Sequence, residues 1–188
     1  PQWDEVGNCF HPLNELGDSE AAIREKRETL LKQIDAFPKG CQEYGIIHGD
    51  LHSENFLVDT ASQSITVIDF DDCCTGWFLM DIAMNLFDMV VVYPGEDKDA
   101  FAGRFMKSYL KGYLEEKALD EVWIEQLPHF LKLLEIGVYT QVYAFAAREE
   151  PGSWVGKFIA GRKSRLENDV PYVNVNFAQI LKTISAGY

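Results

Sequence analysis

Apolar and polar positions recur along the chain in two rhythms, and the changes of rhythm mark the elements. Over "SEAAIREKRETLLKQIDAF", Ala22, Ile23, Leu30, Ile34 and Phe37 fall near helical spacing and Pro38 stops the run, which predicts an amphipathic helix capped by Asp18 or Ser19. "YGIIH", "NFLVD" and "SITVIDF" are short β-branched and aromatic runs instead. The polar "TASQ" joining the last two predicts a hairpin. "WFLMDIAMNLFDMVVVY" has too few breakers for a loop and predicts a buried helix ending before Pro94 and Gly95. In "DKDAFAGRFMKSYLKGYLEEK", Phe101, Phe105, Tyr109 and Leu110 share one face, a second amphipathic helix. "DEVWIEQLPHFLKLLEIGVYTQVYAFAARE" continues as helix, interrupted or restarted around Pro128, and "GSWVGKFIAGRKSRLEND" and "NVNFAQILKTIS" predict two shorter terminal helices. The first 17 residues mix Gly, Pro and Asn with scattered aromatics and predict irregular chain. The expectation is a predominantly helical α+β fold with a small β-hairpin. With no repeat and no linker rich enough to divide it, residues 1–188 form a single domain.

Composition narrows the partners more than the fold. At 188 residues and 47% apolar, the chain can bury a substantial core. Its 17 basic and 30 acidic residues, net charge −13, argue against nucleic acid or an anionic membrane and favour cationic ligands. Four cysteines, with Cys73 and Cys74 adjacent and no CxxC spacing, predict a reducing compartment and a cytoplasmic protein. No apolar run reaches transmembrane length. The chain opens at Pro1, which predicts a fragment or a processed product and leaves targeting unread.

The chemistry concentrates in "IIHGDLHSENFLVDTASQSITVIDFDD", residues 46–72. Two arrangements fit it. In one, His48, Asp50 and His52 alternate on one face of a strand and, with Asp69, bind zinc or a metal pair in a hydrolase. In the other they occupy a loop after the "YGII" strand, Asp50 and Asn55 stand five residues apart, and Asp69 ends the second hairpin strand, an order similar to the catalytic loop and metal-binding aspartate of protein-kinase-like enzymes.

"HGDLHSEN" followed by "IDFDD" resembles the signature of the aminoglycoside phosphotransferase and choline kinase-like family, whose catalytic loop reads H-G-D-x-x-x-x-N. The hairpin between the halves and the helical "LMDIA" after them agree with it. The resemblance implies a protein-kinase-like C-terminal lobe, ATP or GTP as donor, Mg²⁺, and a small hydroxyl-bearing, possibly amine-bearing, acceptor. It makes Asp50 the carboxylate that orients the attacking hydroxyl and takes its proton. Asn55 and Asp69 become the oxygen ligands of the metal and its nucleotide, and Asp71 touches a second metal position or the substrate. His52, where protein kinases carry lysine, donates to the transferring phosphoryl group. The His48 ring locks the loop against the segment around Asp69 and Phe70, and Asp81 accepts hydrogen bonds from the loop backbone.

The remaining polar residues have plainer expectations: Asp72 a solvated loop acid, Cys73 and Cys74 packing residues, His11 and His129 ordinary histidines, Glu149 and Glu150 a solvated helix end. Gly49 replaces the arginine with which many protein kinases bind a phosphorylated activation loop, and little chain separates Asp69 from Phe78, so no such control is expected. A glycine-rich strand-turn-strand, a strand lysine and a hinge are missing, since "GNCF" and "AGRKS" lack that setting. The resemblance therefore covers the chain as a C-terminal lobe alone. The absent N-terminal lobe is its expected partner, and residues 1–188 by themselves are expected to be inactive. A non-catalytic module is disfavoured because Asp50, Asn55 and Asp69 are all retained.

Overall fold

The computed structural model describes residues 2–4, 16–146, 148, 150 and 152–187. His11, Glu149 and "GNCF" lie outside them. A 3₁₀ turn over Asp18–Glu20 leads into α1 (Ala21–Asp35). Then come β1 (Tyr44–Ile47), a 3₁₀ turn at Ser53–Asn55, β2 (Phe56–Asp59), β3 (Ser64–Val67) and β4 (Cys74–Trp77), which runs directly into α2 (Phe78–Val92). The remainder is α3 (Lys98–Glu116), α4 (Glu121–Ile124), α5 (Leu127–Ala146), α6 (Trp154–Ile159), α7 (Arg162–Glu167) and α8 (Phe177–Ser185). The fold is α+β and predominantly helical. Among the described residues no helix is long and apolar enough to cross a membrane.

Helix α2 is the axis of the core because it is apolar nearly all round: Leu79, Met80, Ile82, Ala83, Met84, Leu86, Phe87 and Val90 are all buried, and α5, α3 and β1 pack against it. Its starting point is fixed by Trp77. That ring is fully buried, with Trp3, Tyr44, Phe37 and Phe130 centred 5.0–6.4 Å away, and its indole N–H donates to the Pro38 carbonyl at 2.9 Å.

Two small antiparallel ladders set up the polar stretch. β1 pairs with β4, Tyr44 opposite Trp77 and Ile47 opposite Cys74, while β2 pairs with β3, Phe56 opposite Val67 and Asp59 opposite Ser64. The hairpin is thus inserted between the two strands of the other ladder, and residues 48–73 leave and return at one place. Leu57, Val58 and Ile65 of the hairpin are 55%, 60% and 64% exposed, so neither strand is buried by the rest of the chain.

The sequence pattern misplaced four details. β4 was not expected: "CTGW" lacks a β-branched run, and it is strand because Gly76 lets β4 close on its neighbours. A Cβ there would lie 2.6 Å from Ile47 Cδ1 and 3.0 Å from Met80 Sδ. Neither Asp18 nor Ser19 caps α1; the 3₁₀ turn precedes it, and Glu20 turns inward to accept from Tyr139 Oη at 3.0 Å and Lys163 Nζ at 2.8 Å, while Ala22 faces outward. On α3 the fully buried residues are Ala102, Met106 and Leu110, with the rings of Phe101, Phe105 and Tyr109 in succession along the flank. The "GSWVGKFIAGRKSRLEND" stretch is two helices, broken at Gly161 with φ of 68°, which makes three terminal helices in place of two. Pro128 falls in the first turn of α5, where a missing N–H is harmless.

Candidate active site

The loop after β1 hangs across α2. Asp81 Oδ2 accepts the His48 backbone N–H at 2.9 Å, and Oδ1 accepts that of Gly49 at 3.0 Å. Burial raises the Asp81 carboxyl above the usual carboxylate range, opposed by those two N–H groups. Two turns further along the same helix, Asp88 Oδ2 accepts the Ser53 N–H at 2.9 Å. The sequence reading missed Asp88. Its signal was present: a second carboxylate seven residues after Asp81 in an otherwise apolar helix, where an unpartnered charge is costly.

Gly49 is required twice over. Its φ is 82°, in the left-handed region, and a Cβ there would lie 2.4 Å from the Asp72 carbonyl oxygen. Gly49→Ala is expected to destabilise the protein by about 1–3 kcal/mol, read as a fall in melting temperature. A melt matching the wild type would remove this account of the loop.

The candidate side chains then follow in order. His52 Nδ1 accepts from the Glu54 N–H at 3.3 Å, capping the 3₁₀ turn, so in the neutral ring the proton resides on Nε2. That nitrogen stands 3.3 Å from Asp50 Oδ2. The same ring nitrogen lies 3.3 Å from Asn55 Nδ2, so the ring sits between the Asp50 carboxylate and the Asn55 amide. Asn55, buried within the turn, donates from Nδ2 to the Asp50 carbonyl at 2.8 Å. Its amide nitrogen is the end tied to the loop, and its oxygen the end left for a cation.

The hairpin returns the second half of the motif to the first. Asn55 O accepts from Ile68 N–H at 3.1 Å, and His48 Nε2 meets Ile68 O at 2.9 Å while the His48 ring packs on Phe70 at 4.7 Å. Asp69 follows with φ of 62°, a strained conformation that aspartate tolerates better than most residues. Asp72 is an exposed loop acid, as expected, but its carboxyl is perturbed. Partial burial raises its carboxyl, as do the nearby carboxylates of Asp50, Asp69 and Asp71. The chain thus brings Asp50, Asp69, Asp71 and Asp72 into one acidic neighbourhood beside Asn55. His129 is elsewhere, its ring 5.6 Å from that of Phe37. Cys74 is buried in β4.

This donor set suits a hard divalent cation. Asn55 and Asp69 offer oxygen ligands, and such ions commonly take one or two protein oxygens and complete their shell with phosphate and water. Among the described residues no three His, Cys, Asp or Glu side chains converge as a metal-binding group. Both nitrogens of His48 are engaged, with Ile68 O and the Asp50 N–H. The zinc-hydrolase alternative finds no support here.

Comparison with known proteins gives one consistent answer. A family model described as the phosphotransferase enzyme family matches residues 8–119. The chain is 31% identical over 182 residues to amicoumacin kinase of Bacillus subtilis (strain 168), covering 96% of this chain and 53% of that protein. It is 26% identical over 132 residues to probable choline kinase 2 of Arabidopsis thaliana, covering 63% of this chain and 37% of that protein. Among solved structures it resembles amicoumacin kinase hAmiN in complex with AMP-PNP, Ca²⁺ and Ami, with a TM-score of 0.83 at 28% identity over 96% of this chain and 54% of that one. The chain spans about half the length of the curated relative it matches over 96% of its own length.

Proposed function

Because the chain belongs to the phosphotransferase enzyme family, we propose that it is the C-terminal lobe of a kinase that transfers the γ-phosphoryl group of ATP to a hydroxyl of a small molecule. The observation that carries this reading is the tie between the two halves of the motif: Asn55 O to Ile68 N–H, with Asp50 and Asn55 on one loop pinned to α2. Asp50 orients the acceptor hydroxyl and takes its proton. His52, through Nε2–H, holds the Asp50 carboxylate in place. Asn55 and Asp69 hold Mg²⁺, with Asp71 beside them, and that ion supplies neutralisation of triphosphate charge. His48 and Asp81 fix the loop against the hairpin and α2.

Residues 1–188 are one domain in this reading, and its partner is an N-terminal lobe that covers the phosphates. Leu57, Val58, Ile65, Ile68 and Phe70 are exposed on the hairpin and the segment after it, apolar side chains of the kind a second lobe buries. The acidic neighbourhood around Asp50 favours an amine-bearing alcohol as acceptor. That agrees with choline kinase among the relatives. Dependence on ATP as donor supports a cytoplasmic location. The test is a coupled ADP-release assay of the full-length protein against a panel of amino alcohols with Mg-ATP. At least one member is expected to be phosphorylated on oxygen, with residues 1–188 alone giving negligible turnover. Magnesium-independent hydrolysis, or full activity from residues 1–188, would overturn the assignment.

A further inference from the structure

Helix α2 presents two carboxylates to the loop above it, and they grip different halves. Asp81 takes the His48 and Gly49 N–H groups, just before Asp50, whereas Asp88 takes the Ser53 N–H at 2.9 Å. Ser53 opens the 3₁₀ turn Ser53–Asn55. The other two N–H groups of that turn stay within the loop: Glu54 N–H donates to His52 Nδ1 at 3.3 Å, and Asn55 N–H to His52 O at 3.0 Å. Among the described residues, the Ser53 N–H is therefore the hydrogen bond that ties this turn to α2.

Asn55 is what the turn carries. Its side chain is buried, its Nδ2 is fixed on the Asp50 carbonyl at 2.8 Å, and its own carbonyl takes the Ile68 N–H. With the amide held at both ends of the residue, its oxygen moves as the turn moves. The anchor beneath is firm. Asp88 is half-buried, and Phe87 before it is locked in place: its ring stacks on that of Tyr172 at 4.6 Å with planes 19° apart, and its carbonyl accepts from Tyr172 Oη at 3.0 Å.

We propose that Asp88 is the positioning residue for the metal-binding half of the site: it seats the Ser53–Asn55 turn and thereby aims the Asn55 oxygen, as Asp81 seats the half that carries Asp50. The proposal rests on the reading of Asn55 as a ligand of the divalent ion. One oxygen suffices for one N–H, so the role needs an acceptor and not a charge. Asp88→Asn keeps that acceptor and Asp88→Ala removes it. Ser53→Pro removes the donor instead and leaves the carboxylate. Proline suits the first position of this turn, because His52 before it is extended, with φ of −105° and ψ of 173°.

The test is binding of Mn²⁺, a paramagnetic stand-in for Mg²⁺, to the full-length protein with AMP-PNP, read by electron paramagnetic resonance so that turnover does not enter. D88A is expected to weaken Mn²⁺ about 10–100-fold and D88N to restore most of the loss. S53P should reproduce D88A, and the double variant should be no worse than either single one, since both delete the same bond. In steady-state kinetics the Mg²⁺ concentration for half-maximal rate should rise in D88A and S53P while the KM of the acceptor stays unchanged. If D88A does not fold, S53P measures the same bond. Asn55→Ala separates this proposal from the reading beneath it. Mn²⁺ binding untouched by N55A would remove the functional reading and the proposal together; binding lost in N55A but intact in D88A and S53P would overturn the proposal alone. A rise in acceptor KM shared by D88A and D88N, with Mn²⁺ binding intact, would make Asp88 a charged contact of the acceptor and also overturn it.

Discussion

Asp50→Asn in the full-length protein is expected to lower kcat by about 10²–10⁴-fold while leaving nucleotide affinity nearly unchanged. Asparagine keeps the size and the loop's backbone bonds, since the Asn55 amide is held by the Asp50 carbonyl and not by its carboxylate. It removes the ability to accept a proton, and the carboxylate toward which His52 Nε2 points at 3.3 Å. His52→Ala should cost much less, because on this geometry His52 aims the carboxylate without itself exchanging a proton. Single-turnover phosphorylation and nucleotide titration of both variants measure the difference. If D50N kept a rate within about threefold of wild type, Asp50 would not be the base. If H52A proved as damaging as D50N, the imidazole would have a direct role in the chemistry.

Much of this site could be read from residue order because its chemistry is local. Asp50, His52 and Asn55 lie within one loop and one 3₁₀ turn, and "TASQ" gave away the hairpin that returns Asp69. What escaped the sequence was long-range. β4 exists because a glycine admits close neighbours 29 and 4 residues away, Ile47 and Met80, which no local β-propensity signals. Asp88 looks like one more residue of a hydrophobic helix until Ser53, 35 positions earlier, is placed over it. The direction of the His52 ring likewise depends on a capping bond from Glu54, and motif spacing cannot reveal that. The helices were legible as elements, yet their ends were set by tertiary contacts, as with Glu20 turning inward to Tyr139 and Lys163 where a surface cap was expected.

Asp81→Ala is expected to have the second-largest effect, felt in stability and activity together. The two carboxylate oxygens accept separate backbone donors, His48 N–H and Gly49 N–H, in a largely buried setting. Deleting them orphans both donors at about 1–3 kcal/mol each, so a loss of about 2–6 kcal/mol is expected. Asp81→Asn should not rescue it: an amide offers one acceptor and presents its NH₂ to the other donor. The sign of the pH effect follows from the raised carboxyl. The folded state holds the Asp81 proton more tightly than the unfolded chain, whose ordinary value is 3.8, so this group favours folding as pH falls toward that value and the contribution fades as pH rises through the folded pKa. The variant should lose that component of the pH profile. Because Asp88 still holds Ser53, the far end of the loop should stay seated, and hydrogen exchange should rise at His48 and Gly49 well before Ser53. Uniform loss of protection along residues 48–53 would show that α2 grips the loop as one unit. A wild-type melt for D81A would show that it does not grip the loop there at all.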